Sequence, residues 1–182
     1  EVVWTAPDRR QSVLAETVAQ LADQGRRPYS IPLGGTNALG AVGYVNAADE
    51  LEHQVPGCLA VCAVGTGGTQ AGLTVGLADH ERIRGFDVAA VPALEDTVPA
   101  VIEDCARLVD RPEPAGNWSV DRSQAREPYG KPTEAAHEAI RLTAQTLGLV
   151  LDPVYTGRAM AGLISAIRQK TLPDAPIVFV HT

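Results

Sequence analysis

Apolar positions along the chain switch between two periods. From Asp8 to Gln24 they fall at Val13, Leu14, Val18 and Leu21, the spacing of one face of a helix, and Gly25 ends the run. Tyr29 to Leu33 is short and apolar and predicts a strand, as does Glu1 to Trp4 at the start. Ala38 to Gln54 predicts a helix entered through Asn37, a good capping residue. Leu59 to Val64 is a continuous apolar run between Pro56-Gly57 and a set of glycines, the pattern of a strand buried on both faces. Gln70 to Ala78 predicts a helix and Ile83 to Val88 a strand. A helix follows from about Val98 to Val109, where Val98, Val101, Ile102, Cys105, Leu108 and Val109 recur at helical spacing. Arg111 to Pro128 is polar and proline-rich and predicts a long loop of the functional kind. Thr133 to Leu147 predicts a helix with Thr133 as cap and Gly148 as stop. Leu149 to Leu151 leads through Asp152-Pro153 to a last helix, Gly157 to Gln169, and a closing strand, Ile177 to Val180. Strands alternating with helices predict an α/β fold: three layers, αβα, around a mainly parallel sheet.

The segment AVGTGGTQAGL, Ala63 to Leu73, joins the buried strand to the helix that follows. A strand, a glycine-rich turn and a helix N-terminus aim backbone N–H groups and the positive end of a helix dipole at one point, which suits a phosphate. The hydroxyls of Thr66 and Thr69 add donors. Gly67 to Thr74 reads G-x-x-x-x-G-L-T, so a nucleotide triphosphate loop would need a lysine where Leu73 stands, and that class is excluded. A dinucleotide fingerprint starting at Gly65 meets Gln70 where its third glycine belongs. Asp87 lies near the expected distance for a ribose carboxylate, so this reading is weakened and stays open.

With 182 residues, 45% of them apolar, the chain can bury a sizeable core. A net charge of -7 argues against nucleic acid or an anionic membrane as partner, and no apolar stretch approaches the length of a membrane span. Cys58, Cys62 and Cys105 are odd in number and lack C-x-x-C spacing. They read as buried thiols of a reducing cytoplasm, with no metal site.

Five stretches then narrow the reading: IPLGGTNALGAVGY, VGTGGTQAGL, YGKPTEAAHEAI, LDPVYTGRAMAGL and VFVHT. In this order, from Glu1 to Thr182, the chain resembles the family of 1-aminocyclopropane-1-carboxylate deaminases and D-cysteine desulfhydrases. These are pyridoxal 5'-phosphate enzymes with the fold of the tryptophan synthase β subunit (fold type II). The resemblance implies the C-terminal half or more of such an enzyme, with residues 1–28 ending its small domain and residues 29–182 forming most of the large, cofactor-binding one. It assigns Gly65, Thr66, Gly67, Gly68 and Thr69 to the cofactor phosphate, and Tyr155 to the face of the pyridine ring. Without it, Tyr155 is a core tyrosine before a helix capped by Thr156. Tyr129 matches a second active-site tyrosine, near substrate. Thr156 stands where ring-opening members carry a glutamate against the pyridine nitrogen, and Thr182 matches a threonine whose hydroxyl reaches that nitrogen. His181 is a structural strand-end residue.

The resemblance also implies a lysine bound to the cofactor. The chain's only lysines, Lys131 and Lys170, do not occupy its position, which belongs to an N-terminal part together with a serine and an asparagine. The implied parent is a cytoplasmic, homodimeric carbon–sulfur lyase that acts on D-cysteine or a related small amino acid and releases pyruvate, sulfide and ammonia. This chain by itself is expected to be inactive. The alternatives are the cyclopropane-opening deaminase and a non-catalytic phosphate- or dinucleotide-binding module.

Overall fold

The structure, a computed structural model, describes residues 2–182. Two compact units divide the chain, Glu1–Leu33 and Gly34–Thr182. Among its described residues the first carries one α-helix, α1 (Arg10–Asp23), led in by a 3-10 turn at Pro7–Arg9 and ended by Gly25 in the left-handed conformation at φ 75°. Val2 to Trp4 form no strand, and Glu1 lies outside the described residues. Tyr29 to Leu33 also form none, contrary to the sequence expectation. Pro32 removes a ladder donor from within that run, and Tyr29, Ile31 and Leu33 are all exposed, so no second layer rewards pairing.

The second unit is built on β1 (Leu59–Val64), β2 (Ile83–Asp87) and β3 (Ile177–Phe179). The sheet is parallel throughout, in the order β2-β1-β3, with Ala60 opposite Ile83 and Leu59 opposite Ile177. Its helices are α2 (Ala38–Gln54), α3 (Gly68–Leu77), α4 (Leu94–Leu108), α5 (Glu134–Leu147) and α6 (Thr156–Gln169). β1 shows why its sequence is unbroken apolar. Ala60, Cys62 and Val64 pack with α2, α3 and α4 on one face, while Leu59 and Val61 join Phe86, Ala159 and Leu163 under α6 on the other. This is the three-layer αβα arrangement the pattern predicts.

Several local signals hold as read. Asn37 caps α2 by accepting the Gly40 N–H at 2.8 Å, and Thr133 caps α5 by accepting that of Ala136 at 3.0 Å. Gly148 ends α5 at φ 68°. α4 starts earlier than its periodicity suggests, at Leu94, a fully buried residue. Pro99 lies inside it, which forfeits one backbone bond that burial of Leu94, Val98 and Ile102 offsets. α2 and α3 approach closely because Gly72 and Gly76 face α2: a Cβ built on Gly72 would lie 2.2 Å from the Ala41 carbonyl oxygen.

Candidate active site

Parallel strands end together, so Val64, Asp87 and Phe179 bring three loops to one edge of the sheet, where ligands of open α/β folds bind. The loop after β1 turns through Gly67 at φ 92°, a conformation natural only to glycine, and α3 starts at Gly68. No side chain caps α3, so its first-turn N–H groups face the loop's concavity without a side-chain acceptor. A Cβ on Gly67 would lie 2.2 Å from Val98 Cγ2, and one on Gly68 3.1 Å from Thr36 Oγ1. Thr36 and Thr66 share a hydroxyl–hydroxyl bond of 2.5 Å, which ties the turn before α2 to the loop. Uncapped amides, close-packed glycines and two hydroxyls fit a phosphate monoester and need no lysine.

Tyr155 reaches this loop. A Cβ built on Gly65 would sit 3.1 Å from its Cε1, so any larger residue there would press the ring aside by a few tenths of an ångström. The Tyr155 hydroxyl is hydrogen-bonded to that of Tyr129, with the rings edge to face and their centroids 5.8 Å apart. Both tyrosines remain partly open, at 39% and 48% exposure. The hydrogen bond to Tyr129, then burial, then the nearby Tyr129 and Asp152 push the Tyr155 phenol up to about 12. The Tyr155 phenol is therefore protonated at neutral pH.

Thr156 is 1% exposed, and its hydroxyl donates to Asp152 Oδ2 at 2.6 Å while accepting the Asp152 N–H at 3.0 Å. Asp152 itself accepts the N–H groups of Val154, Tyr155 and Thr156 at 2.7, 2.7 and 2.8 Å. Burial alone would raise this carboxyl. The hydroxyl of Thr156 and the three amides outweigh that and hold it below its ordinary value. Thr182 follows β3, exposed, and the His181 ring lies 3.3 Å from the Val150 carbonyl. Asp87 is buried at the end of β2, accepting the Ala89 N–H at 2.7 Å, with Arg122 Nε 3.5 Å away. Its carboxylate is spent inside the loop and is not offered to a ribose.

Lys131 pairs with Glu127 at 2.6 Å. Lys170 follows the 14-residue α6, about 20 Å from the end that bears Tyr155. Three residues of this site escape a sequence reading. Asp152 is hidden in an Asp-Pro turn, and its signal is the threonine four residues on. Thr36 sits in an ordinary glycine turn. Arg158 is fully buried, although it shares the i, i+4, i+8 stripe of Gly162 and Ala166 on α6.

The sequence profile of the family described as pyridoxal-phosphate dependent enzymes matches residues 1–182. The chain belongs to this family. The D-cysteine desulfhydrase of Klebsiella pneumoniae (strain 342) is 41% identical over 178 residues, which cover 93% of this chain and 54% of that protein. The D-cysteine desulfhydrase of Yersinia pestis (strain Pestoides F) is 39% identical over the same shares. Among solved structures, the crystal structure of an ACC deaminase homologue superposes with a TM-score of 0.85 at 33% identity, covering all of this chain and 57% of that one. The chain thus spans about half the length of the relatives it matches, and its fold is that of these pyridoxal phosphate enzymes. Among the described residues, no helix is long and apolar enough to cross a membrane.

Proposed function

We propose that the full-length protein is a pyridoxal phosphate-dependent β-elimination lyase that converts D-cysteine, or a close β-substituted analogue, to pyruvate, sulfide and ammonia. The observation that carries this reading is the tyrosine pair at the mouth of the glycine loop, Tyr155 against Gly65 and Tyr129 hydrogen-bonded to it. In this reading the amides of Gly65 to Thr69 and the Thr66 hydroxyl hold the phosphate. The Tyr155 ring would hold the cofactor's pyridine, and Thr182 is the candidate partner of its ring nitrogen. Bound there, pyridoxal phosphate supplies the electron sink for loss of the Cα proton. A phenol raised to about 12 keeps its proton at neutral pH. The pair would therefore offer a hydrogen bond to the sulfur as its bond to Cβ breaks, and the sulfur leaves as a thiolate with no proton transferred from the phenol. The lysine that joins the cofactor falls, in this proposal, in the part of the relatives' length that this chain does not span. Thr156 contributes by fixing the start of α6 through Asp152, and, being uncharged, would leave a pyridine nitrogen beside it largely neutral. A weak sink is enough when the leaving group is a thiolate. The working form is a cytoplasmic homodimer.

The solved structure of an ACC deaminase homologue favours one rival, cyclopropane opening. Sulfide from D-cysteine and 2-oxobutanoate from 1-aminocyclopropane-1-carboxylate, measured side by side on the full-length protein, separate the two. Fast ring opening with no sulfide refutes the proposal, and sedimentation at working concentration tests the dimer.

A further inference from the structure

Arg158 is fully buried, yet it stands in the first turn of α6, the end of a helix that disfavours a cation. Its hydrogen bonds all go to main-chain carbonyls. Nη1 donates to Val88 at 3.0 Å, Glu127 at 3.1 Å and Gln124 at 3.4 Å; Nη2 donates to Lys131 at 2.6 Å and Pro128 at 2.8 Å. Val88 follows β2. The other four carbonyls belong to one stretch, residues 124–131, and they bracket Tyr129 on both sides. Besides these, the stretch is held by an exposed Glu127–Lys131 ion pair and two local turns, the Ala125 N–H onto the Arg122 carbonyl at 3.0 Å and the Lys131 N–H onto Pro128 at 3.2 Å, none of which ties it to α6. A buried charge that satisfies no carboxylate is costly, and helix stability does not explain it. What it gathers explains it.

We propose that Arg158 is the positioning residue of the tyrosine pair: by binding the carbonyls on either side of Tyr129 and joining them to the start of α6, it holds the Tyr129 hydroxyl on that of Tyr155. The proposal rests on the active-site role assigned above to these two tyrosines. The fork shape is essential. A guanidinium spreads its donors across a plane and can reach carbonyls from separate turns, whereas a lysine ammonium is a single point at the same charge.

The test uses the full-length protein, first without cofactor, with isotope-labelled tyrosine followed by NMR through an alkaline titration. In the unsubstituted protein Tyr155 stays protonated beyond the other tyrosines. Tyr129→Phe removes its partner, so Tyr155 then ionises at lower pH, while burial and Asp152 still hold it above the ordinary tyrosine value. Arg158→Lys is expected to reproduce that shift with the fold intact by circular dichroism, and adding it to Tyr129→Phe is expected to move Tyr155 no further. A folded Arg158→Lys protein whose Tyr155 still titrates as in the unsubstituted protein overturns the proposal, because a purely structural arginine would leave the phenol alone. Hydrogen exchange on the unsubstituted protein gives an answer even where the variant does not fold. The Ala125 and Lys131 amides should open only together with the start of α6, and their opening while α6 stays closed also overturns it. With cofactor and D-cysteine, Arg158→Lys should lower kcat at least tenfold in the Tyr129 background and have no further effect in the Tyr129→Phe background. If the unsubstituted enzyme releases no sulfide, the lyase reading fails while the titration still decides the role of Arg158.

Discussion

Asp152→Asn isolates the carboxylate that starts α6. The side chain accepts four hydrogen bonds, two at Oδ1 from Val154 and Tyr155 and two at Oδ2 from the amide and hydroxyl of Thr156. Asparagine keeps the first oxygen but turns the second into an NH2 group that faces the Thr156 N–H, donor against donor. The stranded amide costs about 1–3 kcal/mol, and loss of negative charge at a helix N-terminus about 0.3–1 kcal/mol more. A sum of roughly 2–3 kcal/mol lowers Tm by about 5–10 °C in a protein of this size. Because the carboxyl is held below its ordinary value in the folded state, its contribution is present above the unfolded aspartate pKa, ~3.9, and is lost as pH falls through the lower folded value. Thermal melts of the two proteins across pH should therefore show a constant gap near neutrality that closes in acid. A gap under about 2 °C at neutral pH, or one that persists unchanged in strong acid, refutes the account of Asp152 as the anionic cap.

Gly72→Ala places a Cβ 2.2 Å from the Ala41 carbonyl and 2.6 Å from Tyr44 Cβ, so α2 and α3 must part, at a cost of about 1–3 kcal/mol visible in the urea midpoint. An unchanged midpoint would mean the two helices are free to separate. Thr66→Val removes the hydroxyl bonded to Thr36, and pyridoxal phosphate affinity, followed by fluorescence titration of the full-length protein, should fall about 5–10-fold. This is a cleaner probe than Gly67→Asp, whose Cβ would meet Val98 and disturb the fold as well as the phosphate site. All three cysteines are buried, with burial pushing the Cys62 thiol up to about 12 and raising Cys105 against the opposing pull of Arg111. A thiol reagent at neutral pH should label none of them in the native protein and all three in denaturant; stoichiometric native labelling would contradict this.

Sequence patterns were most legible where the backbone decides the residue. The glycine loop could be placed because the period changes across it, from a buried strand to a helix, and the caps Asn37, Thr133 and Gly148 announce themselves by conformation. Tyr29 to Leu33 misled because an apolar run promises a strand only where another layer covers it, and here none does. The start of α4 was hidden by Pro99, whose local cost is outweighed by burial on a face only the tertiary structure creates. At the site, Tyr155 and Tyr129 lie far apart in sequence, and their hydroxyl bond depends on the fold. Arg158 and Asp152 were invisible for a shared reason: charged residues on amphipathic helices and in turns ordinarily face water, and their engagement with main-chain groups leaves no periodic trace.

The central strand has a consequence for biosynthesis. β1 pairs on one side with β2, a near neighbour in sequence, but on the other with β3, more than half the chain away. A nascent polypeptide leaving the ribosome can zip the first pair early, yet Leu59 must wait for Ile177 before its second edge is covered. Until then one side of β1 presents unpaired N–H and C=O groups next to the loop that takes the phosphate. Pairing over such a distance is slow because the loop must close before its contacts stabilise anything. The ligand cradle is thus drafted before β3 emerges and finished only after it, and the interval between is when β1 is most open to chaperones or to mispairing with another copy.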